Sequence, residues 1–195
     1  MEARQLLDAL HVAEKLKDAT RHCYTSGGRH ESVAEHSWRL ALMAYFLRDE
    51  FPEADMDKVV RMCLIHDLGE AFTGDIPVFL KTDADRAAED SLLSRWVASL
   101  PEPFAQEMTA LYEEMEARQS LEARIYKALD GLEALIQHNE SDLSTWSENE
   151  YELNLHYCDD RVGFSPALSA LREAIREDTT AKLAEANKEQ GEKLC

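Results

Sequence analysis

Val59-Val60-Arg61-Met62-Cys63-Leu64-Ile65-His66-Asp67 is the stretch from which the rest of the chain can be read. On a helix, Met56, Val59, Val60 and Cys63 share one stripe, because side chains three and four apart lie on the same face. Counting on by three and four from Cys63 reaches His66 and Asp67. An imidazole and a carboxylate thus end a stripe that faces the core. An ionised carboxylate buried without a partner is strongly unfavourable, and a cation would satisfy it. On this segment alone the blander reading outweighs metal binding: a hydrogen-bonded core histidine beside an aspartate that caps the next turn.

Moving outward, a second segment repeats the pattern. Ser32-Val33-Ala34-Glu35 fits a capping box, with Ser at the N-cap and Glu three residues on. The helix it opens runs to about Glu50 with Val33, Leu40, Ala44 and Leu47 inward, and Pro52 ends it. His36 heads that stripe, thirty residues before His66. The separation suits two neighbouring antiparallel helices joined through a turn at 51–57. That antiparallel run is read as leaving His36 near one end and His66 near the other, unless the helices cross or a second turn intervenes. Imidazole plus carboxylate suits Zn, Mn, Fe, Co or Ni, whereas oxygen-only sites suit Mg or Ca.

The remaining segments also read as helices. Leu6, Leu7, Leu10, Ala13 and Leu16 form one amphipathic stripe, and Gly27-Gly28 marks a loop. A helix over Met56 to Leu68 loosens at Gly69, and 70–81 is a structured loop. Further helices are expected over 83–100, 104–117, 121–139 and 165–188. Residues 140–163 are the least periodic, and no long β-alternation or Gly-rich phosphate loop is present. The fold class is therefore all-α, a bundle of short crossing helices. At 195 residues one domain spanning 1–195 is expected, with 140–195 as a C-terminal extension and a frayed tail from about 187.

Composition narrows the function. With 39 acidic and 21 basic residues the formal charge is −18, which repels polyphosphates and argues against a nucleic-acid polymer as partner. A phosphorylated substrate then needs local positive charge, and a metal ion is one source. Cys23, Cys63, Cys158 and Cys195 form no C-x-x-C pair, which fits reduced thiols. The start of the chain lacks a basic segment followed by an apolar one, and the longest nearly apolar run, 40–47, falls far short of the roughly 20 residues a membrane span needs. A cytoplasmic protein with no membrane partner is expected.

With Gly74-Asp75-Ile76-Pro77 and Lys127-Ala128-Leu129-Asp130-Gly131-Leu132-Glu133 added, the set resembles the HD-domain metal-dependent phosphohydrolases. The longer string Glu31-Ser32-Val33-Ala34-Glu35-His36-Ser37, with His66-Asp67-x-x-Glu70 and Gly74-Asp75, is similar to the 5′-deoxynucleotidase branch over about residues 15–138. The resemblance implies one HD-type helical domain and one divalent transition metal (Co, Mn, Zn, Fe or Ni) held by His36, His66, Asp67 and Asp130. It implies Arg21 as a substrate-binding residue and Glu70 and Asp75 as the carboxylates of the chemistry. Glu70 is placed on the side of the attacking water and Asp75 on the side of the leaving 5′-oxygen, with the reverse assignment open.

Two positions fit less simply. Asp130 lies off the stripe of Leu121, Ile125, Leu129, Leu132 and Ile136, so its residues alone suggest a solvated acidic face. His22 follows Arg21 where bacterial members of the branch carry Trp, which leaves strict deoxyribose preference unsupported; Tyr24 and Trp38 are possible substitutes. Lys81 is placed at the pocket rim, and His11, His22, His30, His138 and His156 are read as structural or surface residues.

The implied activity is hydrolysis of a (deoxy)nucleoside 5′-monophosphate to nucleoside and phosphate. Two alternatives stand beside it: a phosphohydrolase for another small phosphorylated metabolite, and a non-catalytic metal-containing nucleotide-binding module. The helices over 83–100 and 104–117 suit a homodimer.

Overall fold

The capping box at Ser32 forms as its sequence predicts, and the helices on either side of the His66-Asp67 pair are built from equally local signals. The computed structural model describes residues 1–77 and 80–192, the side chains of 189–192 aside. In chain order the elements are α1 (Ala3–Glu14), β1 (Thr20–Tyr24), β2 (His30–Ser32), α2 (Val33–Phe46), α3 (Met56–Ile65), α4 (Glu70–Thr73), α5 (Asp83–Ala98), α6 (Phe104–Ala117), α7 (Leu121–Glu140), α8 (Glu148–His156), α9 (Asp159–Val162) and α10 (Pro166–Glu192). Among the described residues the fold is all-α apart from the β1–β2 hairpin. Gly28, at φ +79°, gives the hairpin its left-handed turn residue.

The chain packs as two compact units, the first made of residues 1–22 and 30–127. In it α2 lies against α3, and α5 and α6 form a helical hairpin. Ser32 Oγ accepts the Glu35 N–H at 3.2 Å and Glu35 Oε2 accepts the Ser32 N–H at 2.9 Å, so both donors of the capping box are satisfied. Asp55 caps α3 through the Lys58 N–H. The stripe of α3 goes inward as expected, with Met56, Val59, Met62 and Cys63 buried. A cluster of Leu16, Val33, Leu68 and Ala71 packs with Ile65, Leu93, Trp96 and Met108.

The second unit comprises residues 23–29 and 128–195. Its core includes Leu129, Leu132, Leu135, Val162, Leu168 and Ile175. Arg172, buried in it, donates through Nε to the Tyr157 carbonyl at 2.9 Å and through Nη2 to the Asn154 carbonyl at 3.1 Å. Cys158, at φ +68°, sets its sulfur where a Cβ on Gly131 would be, 2.0 Å away.

Four expectations change. Helix α3 stops at Ile65, not Leu68, and Glu70 opens a separate short helix. Leu6, Leu7 and Leu10 of α1 are about half exposed, and of that stripe only Leu16 is buried. The weakly periodic 140–163 region contains α8 and α9, whose polar sequences carry little amphipathic signal. Helix α10 runs to Glu192, beyond the expected end at 188; the last three residues lie outside those described.

Candidate metal centre

His36 sits in the first turn of α2, and His66 follows the last residue of α3. From His36 to Phe46, and again from Met56 to His66, the chain advances ten residues, about 15 Å at 1.5 Å per residue. The chain therefore goes out and comes back by equal lengths. An antiparallel pair places the first turn of one helix beside the last turn of the other, so the predicted separation of the two histidines is corrected. Their Nε2 atoms are 3.2 Å apart.

The two rings are set by different means. His66 Nδ1 lies 2.9 Å from the Cys63 carbonyl, which turns its Nε2 toward His36 and Asp67. A backbone carbonyl at one ring nitrogen, with the other nitrogen facing the site, is the arrangement that orients metal-ligating histidines. His36 is fully buried. Asp67 Oδ2 is 2.9 Å from His66 Nε2 and 3.9 Å from His36 Nε2. One donor atom from each of His36, His66 and Asp67 falls within 4.8 Å of the others. Nitrogens about 2.1 Å from a common ion at a roughly tetrahedral angle would be about 3.4 Å apart. The spacing of the two Nε2 atoms fits that chemistry.

Surplus negative charge surrounds this trio. Glu70 is buried, and its Oε2 has no hydrogen-bond partner. Burial, then the charges of Asp67, Asp75 and Glu89, push Glu70 up to about 10 against the opposing pull of Lys81. Burial works against the Lys81 charge, but its 2.6 Å pair with Glu89, together with Glu70 and Asp67, holds the ammonium above the usual lysine range. Asp75 is half-buried in the loop after Gly74, whose φ is +75°. Among the described residues Lys81 is the cation that acts on Glu70 against Asp67, Asp75 and Glu89, and a divalent ion would add positive charge there.

Arg21 is mostly buried on β1, with Nη1 3.4 Å from Oε2 of the buried Glu31. Asp130 lies on the part of α7 that belongs to the second unit, outside the trio. The solvated acidic face predicted there is not found. Asp130 is half-buried, neighbouring positions 131–133 are buried, and the Asp130 charge reaches the Cys158 thiol. His138 Nδ1 lies 2.8 Å from Asn154 Oδ1, and its Nε2 3.1 Å from Cys23 Sγ. Trp38 is 63% exposed on α2.

Sequence reasoning missed Tyr112 and Glu89. The Tyr112 hydroxyl donates to the Ile65 carbonyl at 2.6 Å and so braces the backbone just before His66. Glu89 pairs with Lys81 and accepts from Thr73 Oγ1 at 3.3 Å. A tyrosine on an amphipathic helix reads as core, and a glutamate on a polar helix reads as surface. No local signal separates either from those defaults.

The HD domain profile matches residues 13–172, across both histidines, the Asp67 position and Asp130. The chain belongs to the HD-domain family. The human protein named 5′-deoxynucleotidase HDDC2 is 33% identical over 142 residues, covering 71% of this chain and 69% of that one. The mouse protein of the same name is 31% identical over 193 residues, covering 95% and 94%. A crystal structure from Magnetospirillum magnetotacticum, described as a predicted metal-dependent phosphohydrolase, superposes with a TM-score of 0.79 at 29% identity, covering 92% of this chain and 93% of that one. This HD-domain protein is a hydrolase of the metal-dependent kind. Among its described residues no helix is long and apolar enough to cross a membrane.

Proposed function

We propose that this HD-domain protein is a phosphomonoesterase that hydrolyses deoxynucleoside 5′-monophosphates to deoxynucleoside and inorganic phosphate. The observation that carries the reading is the convergence of His36, His66 and Asp67, with the His66 ring oriented by the Cys63 carbonyl. The names of the human and mouse relatives supply the substrate class.

In this reading His36, His66, Asp67 and Asp130 hold one divalent transition metal, from among Co, Mn, Zn, Fe and Ni. The chemistry such an ion supplies is neutralisation of phosphate charge and acidification of a water. Arg21, steadied by Glu31, donates to the phosphate through a charge-assisted fork. Glu70, ionised once a cation offsets its neighbours, takes a proton from the attacking water. A new P–O bond forms from that water as the bond from phosphorus to the 5′-oxygen breaks. Asp75 gives its proton to the departing oxygen. A cytoplasmic homodimer acting on small molecules, with no nucleic-acid polymer or membrane as partner, completes the proposal. A non-catalytic nucleotide-binding module would leave the buried Glu70 and the neighbouring Asp75 without a task.

The test is phosphate release from deoxynucleoside monophosphates by protein loaded with Mn²⁺, Co²⁺ or Zn²⁺, before and after chelation. Activity is expected only with metal, and His66→Ala is expected to lower it at least 100-fold along with metal content. Equal rates in His66→Ala and the parent protein would overturn the reading.

A further inference from the structure

A groove of about 810 Å³ opens between α5 and α6, and the His66 side chain forms part of its wall. Its volume falls within the roughly 300–1,000 Å³ of small-molecule sites. The floor is apolar, made of Leu93, Val97 and Met115. Tyr112 and Tyr126 stand beside His66, the Tyr126 ring 5.9 Å from the imidazole. Tyr112 is fixed by its bond to the Ile65 carbonyl, so this aromatic wall is preorganised. The rim carries Asp90, Glu113 and Glu116 beside Arg118, and Glu89, which is already paired with Lys81 at 2.6 Å.

These features describe a leaving-group site. A phosphate bound at His36, His66 and Asp67 must direct its ester oxygen into adjoining space, and this groove adjoins His66. Aromatic walls over an apolar floor suit a flat, uncharged ring system. Rim carboxylates accept hydrogen bonds from hydroxyl and amino groups and repel a further anion. A small leaving group, such as glycerol, would leave most of the volume to water.

Building on the function proposed above, we infer that the α5–α6 groove takes the uncharged nucleoside half of a 5′-monophosphate. The same rim rejects leaving groups that bear a second phosphate, such as deoxynucleoside 3′,5′-bisphosphates.

Ser94 is exposed on the groove wall, so Ser94→Trp fills the groove without entering the core. With Mn²⁺-loaded protein, Ser94→Trp is expected to raise KM for dAMP at least tenfold while kcat changes less than twofold. Inhibition by inorganic phosphate should keep its constant, while deoxyadenosine binding, read by calorimetry, should be lost. The pair Glu113→Gln and Glu116→Gln should narrow the preference for dAMP over its 3′-phosphorylated form at least fivefold. Unchanged KM and unchanged deoxyadenosine binding in a folded Ser94→Trp protein would overturn the inference, as would an unchanged preference in the double variant. If dAMP is not hydrolysed by the parent protein, the function proposed above fails. The deoxyadenosine binding arm still decides the groove, with binding that Ser94→Trp abolishes supporting it and no binding refuting it.

Discussion

Glu70 opens α4 with its carboxylate buried, one oxygen without a hydrogen bond and three other carboxylates close by. Without a cation it keeps its proton up to about pH 10, whereas in the unfolded chain it loses that proton near 4.5. Between those values the unfolded state binds fewer protons, so the contribution of Glu70 to stability falls as pH rises through the window. Glu70→Gln removes the titration and keeps the shape. In chelated protein the melting temperature of Glu70→Gln should exceed that of the parent by a margin that grows from pH 5.5 to pH 8.5. At the higher pH it should reach about 5 °C or more. Added Mn²⁺ should erase the margin by stabilising the ionised carboxylate, and a margin that does not depend on pH would refute this account. His66 and Asp67 were legible as polar residues ending an apolar stripe, because three- and four-residue spacing is local. The brace from Tyr112 to the Ile65 carbonyl spans 47 residues, and no periodicity encodes it.

At the scale of elements, helix boundaries followed local chemistry where caps exist. Ser32 and Glu35 begin α2, and Asp55 begins α3. The end of α3 was misread because Leu68 continues the apolar pattern after the helix has stopped. The Gly131 contact is an element-scale constraint of the second unit. There α7 approaches the 157–159 turn so closely that the Cys158 sulfur occupies the place of a side chain. Gly131→Ala should lower the melting temperature by roughly 10 °C or prevent folding, since a contact at that distance forces backbone to move. Adding Cys158→Gly removes the sulfur and relieves the positive φ, and should recover at least half of the loss. A Gly131→Ala protein as stable as the parent would show that the two elements separate freely.

For the molecule as a whole, the formal charge of −18 opposes an anionic substrate. Screening weakens that opposition. KM for a deoxynucleoside monophosphate should therefore fall as salt rises from about 20 to about 200 mM at constant metal, with kcat little changed. A KM that rises with salt would mean that attraction at Arg21 outweighs the global field.

Taken alone, the chain's residues determined the helical class, most helix starts and the identity of the groups that meet at the candidate centre. Those properties depend on spacing within a turn or two, where geometry is set by the covalent chain and its local hydrogen bonds. Tertiary packing decided that His36 and His66 lie 3.2 Å apart, that Glu70 is buried among like charges, and that a groove opens beside His66. Such distances arise from contacts between segments tens of residues apart, and burial depends on what covers a residue as well as on the residue itself.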